Sequence, residues 1–555
     1  MKDWFKSGSP WIWLNGGAVA ICMIMVIGLI GLIAVRGFGH FWAGNVAQIH
    51  ITDHEGNQSV VLGEPVRSQT IPAAVARDAG NYVPEGTDLV TRHLIKQGNR
   101  DQTGRDFVWY MGPGMAPWEY PEDALVIERR EWGNFYGHAV AVMREGEIVA
   151  SAGEANLWEE MQTAVARSLA LHKQIQRLEK GEVGRVNRGL ERLRLDERAL
   201  ELRDPPAEVR ASEEARIQVE RVILDADYQV IRTELDQLYK DLRRDSLRMR
   251  MSDGGETDIS YATIVRVTAP NAMSVPAKLL QYLERLWEFL STDPREANTE
   301  GGIFPAIFGT ITMVFVMSIM VTPFGILAAI YLREYARQGP VLKLIRISVY
   351  NLAGVPSIVY GVFGLGFFVY FLGGNLDRLF YEAALPSPTF GTPGLFWASL
   401  TLALLTLPIV IVSTEEGLAR IPSTIRQGSL ALGATKAETL WKVVIPLATP
   451  AMMTGLILAI ARAAGEVAPL MLVGVVKLAP TLPVDGTFPY LHLERKIMHL
   501  GFHIYDVGFQ SPNVEAARPL VYATALVLVI LIVILNLTAI SIRNHLRERY
   551  RSASD

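Results

Sequence analysis

The chain has 555 residues, one cysteine and a formal net charge of -4, and 50% of its residues are hydrophobic. This nearly balanced charge argues against a strongly basic nucleic-acid-binding protein, and a single cysteine excludes a disulfide-rich scaffold. The average composition conceals two kinds of segment. Residues 45–300 are rich in charge, whereas 17–35 and most of 303–542 are apolar over runs long enough for a helix. This alternation predicts an α-helical membrane protein with a large water-soluble insert.

The first apolar run, GAVAICMIMVIGLIGLIAV, contains no charged residue. As a helix it is about 30 Å long, which matches the thickness of a hydrocarbon core. Trp11, Trp13 and Trp42 flank the run at positions where interfacial aromatic residues occur. Residues 1–36 are therefore expected to form a short terminal segment and a retained membrane helix, rather than a cleaved signal peptide.

Residues 37–298 form the insert, and its first part, 45–153, alternates apolar and polar residues in short runs. Such alternation is typical of half-buried strands, and the dipeptide Glu145-Gly146 between two runs predicts a hairpin turn. The later run 259–269 is also strand-like and is expected to rejoin this β-rich part. Because the residues in between have a helical period, an α+β insert is expected.

The helical part of the insert, residues 155–248, is expected to form a coiled-coil-like hairpin. Pro205 and Pro206 prohibit a continuous helix between its two arms and allow an antiparallel return. The run KGEVGRVNRG interrupts the period of the first arm and is expected to bend it. Apolar stripes at helical spacing comprise Leu157, Met161, Val165, Ser168, Leu171, Ile175 and Leu178 in the first arm, and Ile217, Leu224, Tyr228, Ile231, Leu235, Leu238 and Leu242 in the second.

After the hairpin, residues 277–290 place apolar side chains on one helical face. The pattern predicts an amphipathic helix, lying either along the outer membrane interface or as an ordinary helix of the soluble insert. The apolar face comprises Leu279, Tyr282, Leu283, Leu286, Trp287 and Leu290.

Residues 299–542 are expected to hold five further membrane helices, and six crossings place both chain ends on one side. Lys and Arg are concentrated in the terminal segments, including the tail 543–555, and in the loop 414–446, and are sparse in the opposite short loops. The distribution predicts that both termini and this loop are cytoplasmic and that the insert lies outside. The expected helices cover 305–332, 348–372, 395–413, 447–475 and 519–541.

The loop 414–446 has helical spacing on both sides of Gly433 and is too long for a simple turn. It is similar to the EAA loop of ABC-importer permeases, a helix-glycine-helix element that docks on an ATPase subunit. Gly433 and Pro446 match that pattern, whereas Gln-Gly-Ser replaces its Glu-Ala-Ala triplet. The resemblance implies that ATPase coupling involves Arg426, Gln427, Gly428, Ser429, Gly433, Ala434 and Thr435.

Further signatures, including GVPSIVYG, LPIVIVSTEEGLARIPS and MMTGLILAIARAAGEVAPLMLVG, occur in the same order as in one narrower group of these permeases. From about residue 300 to 541 the chain resembles PstA-type permeases of phosphate ABC transporters. The resemblance implies six transmembrane helices of ABC-importer permease type in the bacterial inner membrane, with a periplasmic insert. The implied partners are a second homologous permease in a heterodimer, two ATPase subunits and a periplasmic phosphate-binding protein. The insert departs from the family pattern, so the resemblance gives it no role.

A permease subunit of this kind is not an enzyme, and ATP is expected to be bound and hydrolysed by a partner chain. GSLALGAT approaches the spacing of a Walker A loop, but Ala434 stands where the phosphate-binding lysine is required. No cofactor, metal or nucleic-acid partner is expected. Potential metal ligands cluster in HITDHEG, but a polar strand end is the favoured interpretation there. The residues of HITDHEG that could serve as metal ligands are His50, Asp53, His54 and Glu55.

Arg462 and Glu466 lie in an apolar run that is typical of a membrane helix. Their spacing predicts a shared helical face, and either charge alone costs about 3 kcal/mol at mid-bilayer. One interpretation is a mutually neutralising structural pair; the other is a substrate pathway in which the guanidinium binds phosphate and Glu466 holds it in place. Ser357 follows Pro356 inside the third expected helix, where its hydroxyl either repairs the helix or contacts a passing anion.

Two rival functions remain open. One is a permease for another oxyanion, such as sulfate or molybdate. The other is a membrane-anchored sensor or scaffold that acts through its insert, for which deletion of 157–242 removes function while substitutions of Arg462 are silent. Glu415 and Glu416, at the expected end of the fourth helix, are interpreted as solvated rather than as ATPase contacts.

Overall fold

The computed structural model describes residues 6–52, 58–78, 80, 83–84, 86–511 and 514–551. The chain divides into two compact units. The membrane unit contains Met1–His40 and Phe289–Asp555, and the insert unit contains Phe41–Glu288.

Among the described residues, six helices of the membrane unit are long and apolar enough to cross a membrane, which confirms the predicted number. The fourth is the central one, because 67% of its most apolar window is buried, against 44% or less in the others. It packs mainly on the second and fifth, while the first packs on the sixth. In chain order these spans are Ser9–Gly39, Phe304–Tyr335, Ser357–Phe380, Leu395–Arg420, Lys436–Gly465 and Ala517–His545.

The third span begins later than the expected residue 348. Pro340–Leu352 forms a separate helix. Pro356 is the N-cap residue immediately before the third span, with φ -55° and ψ 135°. Proline is suited to this place because it has no backbone N–H to contribute to a helix interior and its ring fixes φ. The expected position of Pro356 inside a membrane helix was therefore wrong.

The fifth span begins and ends earlier than the expected 447–475. It starts at Lys436, passes through a π-helical stretch at Leu440–Val444 and ends at Gly465. The wider turn accommodates Pro446, whose ring would clash with the preceding turn of a regular α-helix. Because the fourth span also extends to Arg420, the part of the 414–446 loop outside both spans is reduced to 421–435.

In the part of the insert unit that the structure describes, ten strands form two antiparallel sheets. The strands are β1 (Ala47–Thr52), β2 (Gln58–Pro72), β3 (Leu89–Lys96), β4 (Phe107–Met111), β5 (Leu125–Arg129), β6 (Phe135–Arg144), β7 (Glu147–Ser151), β8 (Asp245–Arg250), β9 (Glu256–Ser260) and β10 (Ile264–Thr268). One sheet has the order β1-β2-β3-β4, and the other has β10-β5-β6-β8-β9 with β7 beside β6. The membrane unit adds one pair of two-residue strands, Pro294–Arg295 with Glu300–Gly301.

Two features of these sheets were expected from the sequence. Glu145 and Gly146 have positive φ angles between β6 and β7, and Arg144 pairs with Glu147, which confirms the hairpin turn. Strand β10 pairs with β5, so the late strand rejoins the β-rich part.

Two helical arms extend between β7 and β8. The first arm consists of Leu157–Arg177, the π-helical residues Leu178–Val183 and Gly184–Arg203; the second is Ala207–Leu242. The run KGEVGRVNRG therefore widens the helix locally and does not break it. Hydrogen bonds such as Arg221 Nη2 to Glu197 Oε2, at 2.7 Å, join the arms.

The first arm begins on the second sheet. The Ser168 hydroxyl donates to the Tyr261 carbonyl at 2.7 Å, and Arg167 Nη1 lies 2.8 Å from Asp245 Oδ2. A cavity of about 1150 Å³ lies between this arm, the edge of the sheet and the first part of the helix Val275–Ser291.

Candidate functional site

Arg462 lies in the last turn of the fifth span, and Glu466 follows the end of that helix. Nε of Arg462 is 3.4 Å from Oε1 of Glu466, so the two side chains form an ion pair. The side chains are 33% and 19% exposed, respectively. The partial negative charge at the helix C-terminus also favours a cation here. The arginine is thus held at the helix end but is not sealed from its surroundings.

The contact between these side chains does not arise from a continuous helical face. The helix ends at Gly465, and the backbone of Glu466 is extended, with φ -76° and ψ 138°. The carboxylate reaches back to the last turn, where its one hydrogen-bond partner among the described residues is Nε of Arg462. Within the part of the chain that the structure describes, Nη1 and Nη2 of Arg462 have no hydrogen-bond partner. These two groups remain as donors for a ligand.

The segment that follows the fifth span packs against the start of the third. A Cβ added to Gly361 would lie 2.7 Å from the Pro469 Cα, so the close approach requires a glycine. Tyr360 belongs to the same buried apolar cluster as Ala463 and Leu470. The ion pair is therefore attached to a rigid junction between two spans.

Ser357, the remaining candidate pathway residue, is the first residue of the third span and is partly buried. Its hydroxyl makes no hydrogen bond to Arg462 or Glu466 among the described contacts. The structure thus brings together two of the three candidate pathway residues, and leaves the third one turn of helix before Tyr360.

The coupling segment, residues 421–446, contains the two short helices Ser423–Ala431 and Lys436–Thr439. Gly433 lies between them with φ +88°, a left-handed conformation that strains residues carrying a Cβ. Leu432 beside it is 91% exposed, and Ile425, Leu430 and Trp441 are exposed as well. A segment with several exposed apolar side chains is typical of a docking surface.

The seven predicted coupling residues have different roles in this segment. Ser429 Oγ lies 2.9 Å from Thr439 Oγ1, and Thr435 forms a capping box with Glu438, so these residues hold the two helices in shape. The Ala434 amide donates to the Ser429 carbonyl at 3.3 Å. The exposed residues among the seven are Gln427, Gly428, Gly433 and Thr435.

Arg426 fastens the coupling segment to the membrane spans. Its Nη2 donates to Glu334 Oε1 and to the Leu418 carbonyl, and its Nη1 donates to the Ile421 carbonyl, each at 2.8 Å. Glu334 lies at the end of the second span and is only 12% exposed. Sequence reasoning missed this contact because its two partners are separated by 92 positions and neither belongs to a recognisable local pattern.

A second ion pair joins the fourth span to the helix Pro340–Leu352. Arg346 Nη2 lies 2.6 Å from Glu415 Oε1, and the Glu415 side chain is 13% exposed. The expectation that Glu415 is solvated was therefore wrong, because the fourth span continues to Arg420 and carries this carboxylate against a neighbouring helix. Glu416 is exposed, as expected.

The sequence analysis also did not predict a polar cluster that joins Asn298, before the second span, to residues of the segment that connects the fifth span to the sixth. Asn298 Nδ2 donates to the Lys477 carbonyl at 2.7 Å, and Lys477 Nζ lies 3.3 Å from Asp506 Oδ2. His499 and His503 are buried nearby in the chain, and burial lowers the pKa of each to about 4. Both imidazoles are therefore neutral at pH 7.

The potential metal ligands near the first strand can be placed only in part. His50 lies in β1, whereas Asp53, His54 and Glu55 fall outside the described residues. Among the described residues, no group of three or more His, Cys, Asp or Glu side chains could hold a metal ion.

Comparison with known proteins places this geometry in a family. Residues 321–552 match the model of the binding-protein-dependent transport system inner membrane component. The phosphate transport system permease protein PstA of Mycobacterium leprae is 39% identical over 175 residues, which cover 31% of this chain and 52% of that relative. The match thus spans about half of the relative's length. PstA 1 of Mycobacterium tuberculosis is 34% identical over 245 residues, covering 44% of this chain and 71% of the relative. The chain belongs to the PstA-type ABC permeases.

PstA-type permeases are inner-membrane transport components, and the long apolar helices among the described residues make this chain a multi-pass membrane protein. A probable PstC permease of Methanocaldococcus jannaschii is also similar, at 29% identity over 276 residues, covering 48% of this chain and 82% of the relative. The family match includes both the Arg462 pair and the coupling segment, and it excludes the insert unit.

Proposed function

We propose that the chain is the permease subunit of an ATP-driven phosphate importer and that Arg462 contacts phosphate in the translocation pathway. The observation that carries this proposal is the partly exposed guanidinium, with Nη1 and Nη2 available at the end of the fifth span. An arginine fork binds two oxygens of a phosphate at once and stays charged when it is partly desolvated. Charged side chains are rare inside membrane proteins, where they pair with one another and mark substrate or ion pathways.

Glu466 gives this site its selectivity. At neutral pH phosphate retains a proton and can donate it in a hydrogen bond to a carboxylate, whereas sulfate is fully ionised and only accepts. A partly buried acceptor favours a ligand that offers a donor and disfavours one that does not. The carboxylate also offsets the arginine charge, so the anion is bound weakly enough to leave. The relatives named as phosphate transport permeases support the same substrate.

The coupling segment transmits the work of a separate ATPase. Leu432 and its exposed apolar neighbours fit a cleft on that partner, while Arg426 carries movement of the segment to the second and fourth spans. ATP binding closes the ATPase dimer, the coupling segment moves with it, and the pathway at Arg462 opens outward. ATP hydrolysis then returns the pathway to its inward-open state. A ligand shifts such an equilibrium only by binding the two states differently.

The assembly contains this chain and a second homologous permease, two ATPase subunits and a periplasmic phosphate-binding protein. The Lys and Arg distribution supports a cytoplasmic location for both termini and the coupling segment, and a periplasmic one for the insert. In the helix Val275–Ser291, Leu279, Leu283 and Trp287 are exposed on one face, which suits the outer membrane interface.

The test is uptake by the complete complex reconstituted in liposomes, with ATP on the ATPase side and the binding protein outside. Radiolabelled phosphate should accumulate, and excess sulfate or molybdate should not compete. Accumulation of either competitor in place of phosphate would identify the rival oxyanion permease. Loss of function on deletion of 157–242, with Arg462 variants fully active, would identify the sensor or scaffold.

A further inference from the structure

The second arm of the hairpin carries an apolar stripe on the side that does not pack on the first arm. Val219, Val222, Ile223 and Val230 are 61%, 66%, 56% and 69% exposed, respectively. The buried residues of the same helix, Ile217, Ile231 and Leu242, face the hairpin or the sheet end instead. We call Val219, Val222, Ile223, Ala226 and Val230 the outer stripe. β-Branched residues in such a continuous exposed row are unusual on a water-soluble helix.

The spacing of the outer stripe is that of a coiled-coil seam. Val219, Ile223, Ala226 and Val230 follow one another at alternating steps of four and three, so they occupy successive d and a positions of a heptad. A shallow depression lined by Val230, Thr233, Glu234, Gln237 and Leu238 continues the same row towards the C-terminal end of the arm. This geometry accommodates the knobs of another helix along at least two heptads.

The flanks of the seam specify the charge of that helix. Every charged residue at the e and g positions beside the seam is acidic, namely Glu220, Asp227, Glu234 and Asp236. Glu220 and Asp227 contact Arg216 and Arg185 at 2.9 and 3.4 Å, and both carboxylates remain 40% or more exposed. Residues at e and g positions set partner choice through their charges. Basic side chains on the partner would complement this edge.

We propose that the outer stripe is the docking surface for an amphipathic helix of a partner protein, with apolar residues at heptad spacing and Lys or Arg on both flanks. A second copy of this arm fits poorly, because its acidic flanks would meet acidic flanks. An anionic membrane surface fits poorly for the same reason. The hairpin is therefore an assembly arm that recognises a basic helix outside the membrane unit.

The first test measures binding of labelled peptides to the full chain in nanodiscs by fluorescence anisotropy. One peptide has about three heptads with Leu at a and d and Lys at e and g; a second has Glu at e and g; a third has the apolar residues permuted. The Lys-flanked peptide should bind at least about tenfold tighter than the other two. Equal binding of the Lys- and Glu-flanked peptides would overturn the proposal.

Variants locate the binding. Ile223→Glu should weaken binding of the Lys-flanked peptide about tenfold, while Gln218→Glu, which adds the same charge outside the seam, should leave it unchanged. Glu234→Lys should shift the preference towards the Glu-flanked peptide, an effect that misfolding cannot produce. Equal losses in the Ile223 and Gln218 variants would contradict the proposal, and so would self-association or binding to anionic vesicles that Ile223→Glu abolishes.

The second test uses the native complex in membranes. With Cys22→Ser as background, Ile223→Cys should react with an impermeant maleimide at least about fivefold more slowly than Gln218→Cys in the assembled transporter, and at a similar rate in the isolated chain. Equal rates in the assembled transporter would show an uncovered stripe and reject a docked helix.

Discussion

Arg426 and Glu334 join the coupling segment to the second span through an Nη2 to Oε1 contact of 2.8 Å, with both side chains at most 20% exposed. The same guanidinium also donates to two backbone carbonyls near the end of the fourth span. One side chain thus links three elements. The contact ties residues 421–446 to the second span, from which they are distant in the chain.

Replacement of Arg426 should uncouple transport from ATP hydrolysis. Arg426→Gln leaves the Glu334 carboxylate without its cation and two carbonyls without a strong donor, a loss of about 2 kcal/mol. We expect phosphate uptake to fall at least about tenfold while the ATPase still co-purifies, as measured by uptake per ATP hydrolysed. Arg426→Gln/Glu334→Gln, which removes both charges, should recover part of the stability. If Arg426→Gln alone left the ratio of phosphate uptake to ATP hydrolysis unchanged, a coupling role for the Arg426–Glu334 contact would be ruled out.

Leu432 should contribute to ATPase docking and not to folding of the chain. Since 91% of it is exposed, Leu432→Asp should leave the thermal unfolding midpoint within about 2 °C of the unmodified value. It should reduce co-purification of the ATPase at least about tenfold, because a charge then enters an apolar interface. Val209→Asp, near the tip of the hairpin, is the matched control and should assemble normally. Normal assembly of the Leu432 variant would disprove the docking role.

Acid should destabilise the membrane unit through its buried histidines. The pKa of His503 is lowered by burial to about 4 in the folded chain, against 6.5 unperturbed. The unfolded chain therefore binds more protons between these values, so stability is complete above pH 6.5 and declines as the pH falls towards 4. By pH 5.5 the loss reaches about 1.4 kcal/mol per histidine.

The corresponding experiment compares unfolding midpoints at pH 7.5 and 5.5. His503→Leu should show a smaller acid-induced fall than the unmodified protein, because one titrating group has been removed. His545→Leu makes the same change at an exposed position of the last helix and should leave the fall unaltered. If both variants keep the full acid-induced fall, burial of His503 is not its cause.

Glu466 should determine discrimination between oxyanions. Glu466→Gln retains an acceptor oxygen and adds an amide donor, so sulfate no longer faces a carboxylate. We expect the ratio of phosphate to sulfate uptake to fall at least about tenfold in reconstituted complex. Competition assays with both anions provide the measurement. Selectivity that is identical to that of the unmodified protein would show that the carboxylate only positions Arg462.

Local signals in the sequence were sufficient for several features. Apolar runs predicted six spans, the residues around Glu145 predicted a hairpin turn, and Gly433 predicted a break between two helices. The structure has all three, with a positive φ at Gly433. These features depend on nearby residues, for which periodicity and backbone conformation are decisive. Helix ends were less accurate, because π-helical turns and tertiary packing allow Pro446 inside a helix, while Pro356 stands immediately before the first residue of one.

The long-range contacts could not be predicted in the same way. Arg426 with Glu334, and Arg346 with Glu415, join residues that become neighbours only after the spans pack. A charged residue near a predicted helix end is more often solvated, and this general tendency was misleading for Glu415. The Arg462 pair was anticipated from spacing, but its true geometry depends on the helix ending at Gly465.

The central claim is that Arg462 contacts phosphate during translocation, and the most direct measurement is the initial rate of phosphate uptake by assembled complexes carrying Arg462→Gln or Arg462→Lys. Gln removes the charge and should lower uptake at least about a hundredfold, whereas Lys keeps the charge without the planar fork and should retain an intermediate rate. Binding-protein-stimulated ATP hydrolysis and subunit stoichiometry serve as checks on assembly. Phosphate uptake by the Gln variant at the unmodified rate, with assembly intact, would contradict the account.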